Sequence, residues 1–206
     1  MAIAFGDKTQ GPAGSSPHSY SHTVSGSNAI LYVHIFLGGG AQTISAMTYN
    51  SVAMTLVDSQ ISGTGGTAFL YRLVNPTTGS NTVAITFSAS FGTSVATFYT
   101  GAKQSGGVFV TGKNQGATTS VVTLTPNSAN NWIAFAVGAD VSAPTATNSA
   151  FLRQVGSNVA ITAFDTNGGV TGSTTVGATS DSRLYGVAES FEPAVVSVKS
   201  GFFNFM

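Results

Sequence analysis

The 206-residue chain contains no cysteine, which excludes disulfides, zinc ribbons and thiol chemistry. Charge is nearly as scarce. Seven Lys+Arg cancel seven Asp+Glu, and charged residues make up 7% of the chain, against about 25% in an ordinary soluble domain. Seven dispersed cations cannot form the dense basic surface that displaces counterions from a phosphate backbone, so nucleic acid is not an expected partner. No apolar run approaches the roughly 18 residues of a membrane helix, and no membrane partner is expected. The start, Met1 to Lys8, lacks both the basic residues and the apolar stretch of a secretory signal. Synthesis in a cytoplasm without signal-directed export is the matching expectation.

What the chain does have is apolar mass and turn residues. Hydrophobic residues make up 42%, with 14 Phe, 6 Tyr and 1 Trp, beside 25 Gly. That is enough for a core and argues against disorder. A net charge of zero leaves nothing to repel one copy from the next, a composition suited to a protein whose neighbours are other proteins in an assembly.

The apolar pattern has the period of strands. Val83, Ile85 and Phe87 alternate with Ala84, Thr86 and Ser88, and Ile133, Phe135 and Val137 alternate with small residues. Positions 29–37 are apolar almost throughout except for His34, as expected of a central strand covered on both faces; 184–191 is a second such run. Turn signals follow at short spacing, among them Asn75-Pro76, Gly106-Gly107 and Asn167-Gly168. The pattern predicts roughly a dozen short strands in an all-β, antiparallel, two-sheet sandwich. Residues 139–157 are weakly patterned and predict a loop or a poorly paired edge. Two faint echoes occur: positions 83–86 match 159–162, and 27–30 loosely match 130–133. Their offsets differ, 76 against 103, and they read as reuse of similar strands rather than a tandem repeat.

The order of these patterns carries a resemblance. Gly26-Ser27-Asn28 precedes an apolar strand. Ile44 to Val57 and Phe69-Leu70-Tyr71-Arg72-Leu73-Val74-Asn75-Pro76 follow, then Ala96 to Gly101 and, much later, Leu184 to Pro193. This resembles a jelly-roll-like β-sandwich module of tailed-phage virion proteins and secreted bacterial surface proteins. The resemblance spans 26–193 as a β-sandwich domain, leaving 1–25 as an N-terminal arm or first strands and 194–206 as a C-terminal arm. It carries architecture and no catalytic residue.

Candidate chemistry is thin. His18 and His22, four apart on a strand, would stand about 13 Å from each other, too far to share a metal. His34 reads as a hydrogen-bonded core or interface residue. Asp165-Thr166-Asn167-Gly168-Gly169 begins like a calcium loop, yet lacks the acid at its twelfth position (Val176) and reads better as a hairpin turn. Arg72 reads as an outward or interface residue. No Gly-x-Ser-x-Gly elbow or phosphate-binding loop is present. No catalytic, cofactor-binding or metal residue, and no cofactor, is expected.

The C-terminal Phe202, Phe203, Phe205 and Met206 are the sharpest functional feature, because chain ends are ordinarily polar. They are expected either to complete the domain's own core or to dock on a neighbour. The resulting expectation is a non-enzymatic structural protein located in a phage virion. Its specific form is a capsid decoration (cement) protein contacting the major capsid protein or other virion proteins, as a homo-oligomer with a trimer among its forms. The alternative is a carbohydrate- or receptor-binding sandwich of a tail fibre or bacterial surface protein, using Tyr49, Tyr99 or Trp132.

Overall fold

The computed structural model describes residues 1–62 and 65–195. Among them are seventeen β-strands and one short 3-10 turn, Ser157–Val159. All strand pairs are antiparallel, as the alternation predicts, and the sheets number four.

The first five-stranded sheet has the order β1-β9-β3-β7-β6, formed by β1 (Ala4–Gly14), β3 (Ile30–Gly38), β6 (Thr55–Ser62), β7 (Gly66–Val74) and β9 (Gly92–Thr100). A four-stranded sheet, β2-β8-β4-β5, covers one of its faces: β2 (His18–Val24), β4 (Ile44–Tyr49), β5 (Val52–Ala53) and β8 (Gly79–Phe87). Leu31, Val33, Ile35, Val83, Ile85 and Phe98 fill the space between these two sheets.

The remaining strands form a second sandwich. Its five-stranded sheet has the order β10-β17-β12-β15-β14, from β10 (Val110–Gly116), β12 (Trp132–Ala139), β14 (Phe151–Val155), β15 (Ile161–Asp165) and β17 (Leu184–Phe191). A three-stranded sheet, β11-β16-β13, covers it: β11 (Thr119–Leu124), β13 (Thr145–Asn148) and β16 (Thr174–Thr179). Here the core is Ile133, Phe135, Val137, Phe164, Val176 and Leu184. The weakly patterned 139–157 stretch supplies β13 and β14, both at sheet edges.

The two five-stranded sheets then pack on each other. Ile30, Tyr32, Phe36, Leu70 and Tyr99 from one meet Trp132, Ala134, Ala136, Tyr185 and Phe191 from the other. The result is four layers, with the large sheets inside and the small sheets outside. This explains why 29–37 and 184–191 lack alternation: β3 and β17 are covered on both faces.

The strand orders of the two sandwiches are the same. Reading β1, β2, β3, β4, β6, β7, β8 and β9 as β10, β11, β12, β13, β14, β15, β16 and β17 turns β1-β9-β3-β7-β6 into β10-β17-β12-β15-β14, and β2-β8-β4 into β11-β16-β13. The packing between halves is reciprocal as well. β1 lies against β14 while β6, its counterpart, lies against β10; β7 lies against β12 while β3 lies against β15. Reciprocal contact of this kind is the mark of a two-fold, isologous interface. The chain is therefore a duplicated sandwich folded into an intramolecular pseudo-dimer.

Turn chemistry repeats with the strands. Asparagines at positive φ enter β3 and β12 (Asn28, 53°; Asn130, 63°), end β4 and β13 (Asn50, 50°; Asn148, 56°), and follow β7 and β15 (Asn75, 55°; Asn167, 48°). Asn tolerates this left-handed region better than other side chains because its amide bonds locally to backbone.

Candidate functional site

Two features stand out from the ordinary core: a set of buried charges in the seam between the halves, and a cleft at one end of it.

In the seam, Glu189 on β17 is 1% exposed and is reached from the other half by two donors. Arg72 on β7 approaches its Oε1 at 2.6 Å, and the Tyr32 hydroxyl on β3 donates to Oε2 at 2.7 Å. The Arg72 guanidinium also lies 3.6 Å over the Phe109 ring. Burial pushes the Glu189 carboxyl above its usual range, opposed by Arg72 and by the bond from Tyr32. Burial and the neighbouring Glu189 charge together raise the Tyr32 phenol.

A second set is built on β15. Asp165, fully buried, takes Arg153 Nε of β14 at 2.5 Å and the Asn167 backbone N–H at 2.7 Å. Arg153 stacks over Phe5 at 4.1 Å and over Phe151 at 4.7 Å, and also donates to Asn167 Oδ1 at 2.8 Å. Burial raises the Asp165 carboxyl, with Arg153 acting against it. Nearer the cleft, Glu192 accepts from Lys103 Nζ at 2.7 Å and from Asn127 and the Val108 N–H. Burial acts to raise its carboxyl, but these bonds outweigh it and hold the group below its usual value. Each acid thus has a dedicated cation and further donors, the arrangement of groups that tie strands together.

The histidines are structural. His34 on β3 is fully enclosed, with Nε2 3.0 Å from Thr97 Oγ1. His18 and His22 lie on one face of β2, as the spacing predicts. His22 Nδ1 sits 2.8 Å from Thr9 Oγ1, and His18 packs edge-on against Phe87. Burial lowers all three, His22 to about 4 and His34 to about 3. Among the described residues, no three His, Asp or Glu side chains gather where they could hold a metal.

The aromatics expected to meet a ligand fall in two places. Tyr49 and Tyr99 are both fully buried. Tyr49 donates to the His22 and Gly79 carbonyls at 3.2 Å each, inside the first sandwich. Tyr99 packs edge-on against Trp132 and Phe5 in the seam. Neither offers a ring face to solvent: Tyr49 faces the core of the first sandwich, and Tyr99 lies on β9, which is covered on both faces. Trp132, 8% exposed, lies instead at the cleft.

That cleft has a volume of about 540 Å³ and is lined by Ile3, Asn130, Trp132, Gly168, Pro193 and Ala194, among others. Among the described residues no charged side chain lines it, and the Met1 amino group at its edge donates to the Ala194 carbonyl at 2.7 Å. Pro193 and Ala194 belong to the last described segment of the chain. Phe202, Phe203, Phe205 and Met206 lie outside the described residues.

No protein-family model, curated protein or solved structure matches the chain.

The sequence does carry one signal for the seam charges: Glu189 and Asp165 are each the single charged residue of a mostly apolar strand. A lone acid in such a run is tolerated only with a partner, but nothing in the sequence says that the partners are Arg72, 117 positions away, and Arg153.

Proposed function

We propose that this is a non-enzymatic structural protein of a phage virion, specifically a capsid decoration (cement) protein that stabilises the head by bridging its subunits. One observation carries this reading. None of the seven strands in the two outer sheets (β2, β4, β5, β8, β11, β13 and β16) contains a Lys, Arg, Asp or Glu. Their outward positions hold small neutral side chains: Ser19, Ser21 and Thr82 on one side, Thr119, Val121 and Thr123 on the other. Among the described residues, the scarce charges lie in the interior seam, on the inner sheets and in connecting segments.

Such a body is suited to persistent, salt-insensitive contact. Neutral faces attract counterions weakly, so association does not depend on ionic strength. Two sandwiches locked back to back make a stiff spacer with neutral faces at opposite ends of the stack. The partners on this reading are the major capsid protein or other virion proteins, together with further copies of the chain. Several contacts, each above about 1,000 Å² in total, would add through avidity.

The test is light scattering of the purified protein at low salt and at about 1 M salt, where the Debye length falls to about 3 Å, paired with sedimentation on purified capsids. The expected result is a homo-oligomer unchanged by salt that co-sediments with capsids. A monomer at both salt concentrations that leaves capsids bare overturns the reading.

A further inference from the structure

We infer that the Trp132 cleft of one copy receives the aromatic tail, Phe202, Phe203, Phe205 and Met206, of a second copy. The inference rests on the assembly reading above and names the contact that would hold the oligomer together.

The cleft suits the tail in volume and along its apolar wall. A volume of about 540 Å³ lies within the roughly 300–1,000 Å³ of ligand-sized pockets and has room for more than one aromatic side chain. Its walls are mixed: Ile3, Trp132, Pro193 and Ala194 offer apolar surface, Asn130 and exposed backbone offer polar atoms, and Gly168 leaves one side without a side chain. The sequence from Gly201 to Met206 carries no charged side chain and has three phenylalanines. Left in water, such a tail would expose several large apolar groups, each a strong drive toward burial.

The path of the chain favours a second copy as donor. Ala194 is fixed in the cleft wall: its N–H donates to the Gly101 carbonyl at 2.7 Å, and its own carbonyl accepts the Met1 amine. Val195, the next residue, is 78% exposed. Val195 does not line this cleft; with Asn28, Lys103 and Gln104 it borders a neighbouring depression, so the described chain has already left the cleft wall there. Residues 196–201 can span up to about 20 Å, enough to cross to an abutting copy. Each copy offers one tail and one cleft, so two copies can exchange tails reciprocally about a two-fold axis, or more can pass them around a closed ring.

Trp132 is the sole tryptophan, so its emission reports on the cleft alone. Three proteins suffice: the full chain, a chain ending at Val195, and a full chain carrying Ala2→Arg. Ala2 is exposed and lines the cleft, so the arginine plugs it without entering the core. The full chain is expected to associate, with Trp132 emission moving to shorter wavelength as concentration rises. Each altered chain is expected to associate at least about 100-fold more weakly, as the loss of two or more buried phenylalanines implies. Mixing the two altered chains, one with a cleft and no tail and the other with a tail and a plugged cleft, should restore a one-to-one complex. A synthetic peptide of residues 196–206 should dissociate the full-chain oligomer, a measurement that needs no altered protein.

Three results overturn the inference. A monomeric full chain whose Trp132 becomes exposed on truncation means that the tail occupies its own cleft. An oligomer that survives both alterations means that copies meet elsewhere, which leaves the assembly reading standing. Trp132 emission unchanged by association, alteration and peptide means that the cleft is not the site.

Discussion

Arg72 and Glu189 stand 117 positions apart in sequence and 2.6 Å apart in space, one in each half of the duplicated sandwich. Their pairing joins β7 to β17 across the seam, and Tyr32 completes it from β3. Removing the acid alone leaves a mostly buried guanidinium stacked on Phe109 without its carboxylate. Glu189→Ala is expected to lower stability by about 3–5 kcal/mol, the usual cost of orphaning a buried charge. The double change Arg72→Met with Glu189→Leu should recover most of that loss, because apolar replacement of both partners removes the desolvation cost as well as the attraction. Urea unfolding of the three proteins checks this; equal losses in the single and double variants would show that packing, not charge pairing, dominates at this site.

Acid should weaken the fold through its histidines. Burial holds His22 at about 4 and His34 at about 3, below the roughly 6.5 of an unfolded chain. The unfolded state therefore binds protons that the folded state refuses. The stability these groups contribute is complete above about pH 6.5 and is lost as pH falls toward their folded values. The raised carboxyls of Asp165 and Glu189 act in the opposite sense, favouring the folded state as pH falls. The histidine contribution is isolated by difference: between pH 6 and 5, His34→Gln should reduce the slope of stability against pH by about 1.2 kcal/mol per unit. Parallel slopes in the two proteins would mean that His34 does not resist protonation.

Phe36 is held between two glycines from different halves. A Cβ on Gly66 would come within 2.5 Å of its ring, and one on Gly138 within 2.6 Å, while Tyr185 stacks on it at 6.0 Å. Gly138→Ala is expected to cost about 1–3 kcal/mol by overpacking the seam. Combined with Phe36→Leu it should cost less than the sum of the two single changes, since the smaller side chain makes room for the methyl. Thermal unfolding of the cycle measures this coupling, and strict additivity would refute the contact.

At Asn75 the backbone is left-handed, φ 55°, and the side chain is exposed. Asn75→Ala should destabilise by about 1–2 kcal/mol, while Asn75→Gly should be close to neutral, because glycine alone meets no Cβ penalty there. Denaturant midpoints distinguish the two; similar losses would mean that the asparagine amide matters more than its backbone angle.

Strand character was legible because it is local. The alternation of Val83, Ile85 and Phe87 places those three in the core of the first sandwich, and the unbroken apolar runs of β3 and β17 correctly imply cover on both faces. The echo between 27–30 and 130–133 falls at the entries to β3 and β12, which are true counterparts. The echo between 83–86 and 159–162 joins β8 to the start of β15, which are not. Four-residue matches cannot separate the two cases, because the sheets constrain only which positions are apolar and leave the side chain free to vary.

Site residues were harder to read. Tyr49, Tyr99 and Trp132 are chemically apt for a ligand, yet whether an aromatic faces out or in depends on which sheet covers its strand. The same limit applies to the buried acids: a lone Glu189 in an apolar strand demands a partner, but distance along the chain does not identify it.

By itself, then, the sequence determined an antiparallel all-β protein, poor in charge and free of cysteine, with covered central strands and turns at its asparagines and glycines. Those properties follow from period, composition and backbone preference, each set within a few residues. Only the tertiary structure decided that there are two like sandwiches, that their large sheets face each other, that Arg72 meets Glu189, and that Trp132 looks onto a cleft. Those relations join residues a hundred or so positions apart, and they are fixed by how sheets stack, which no short stretch of chain encodes.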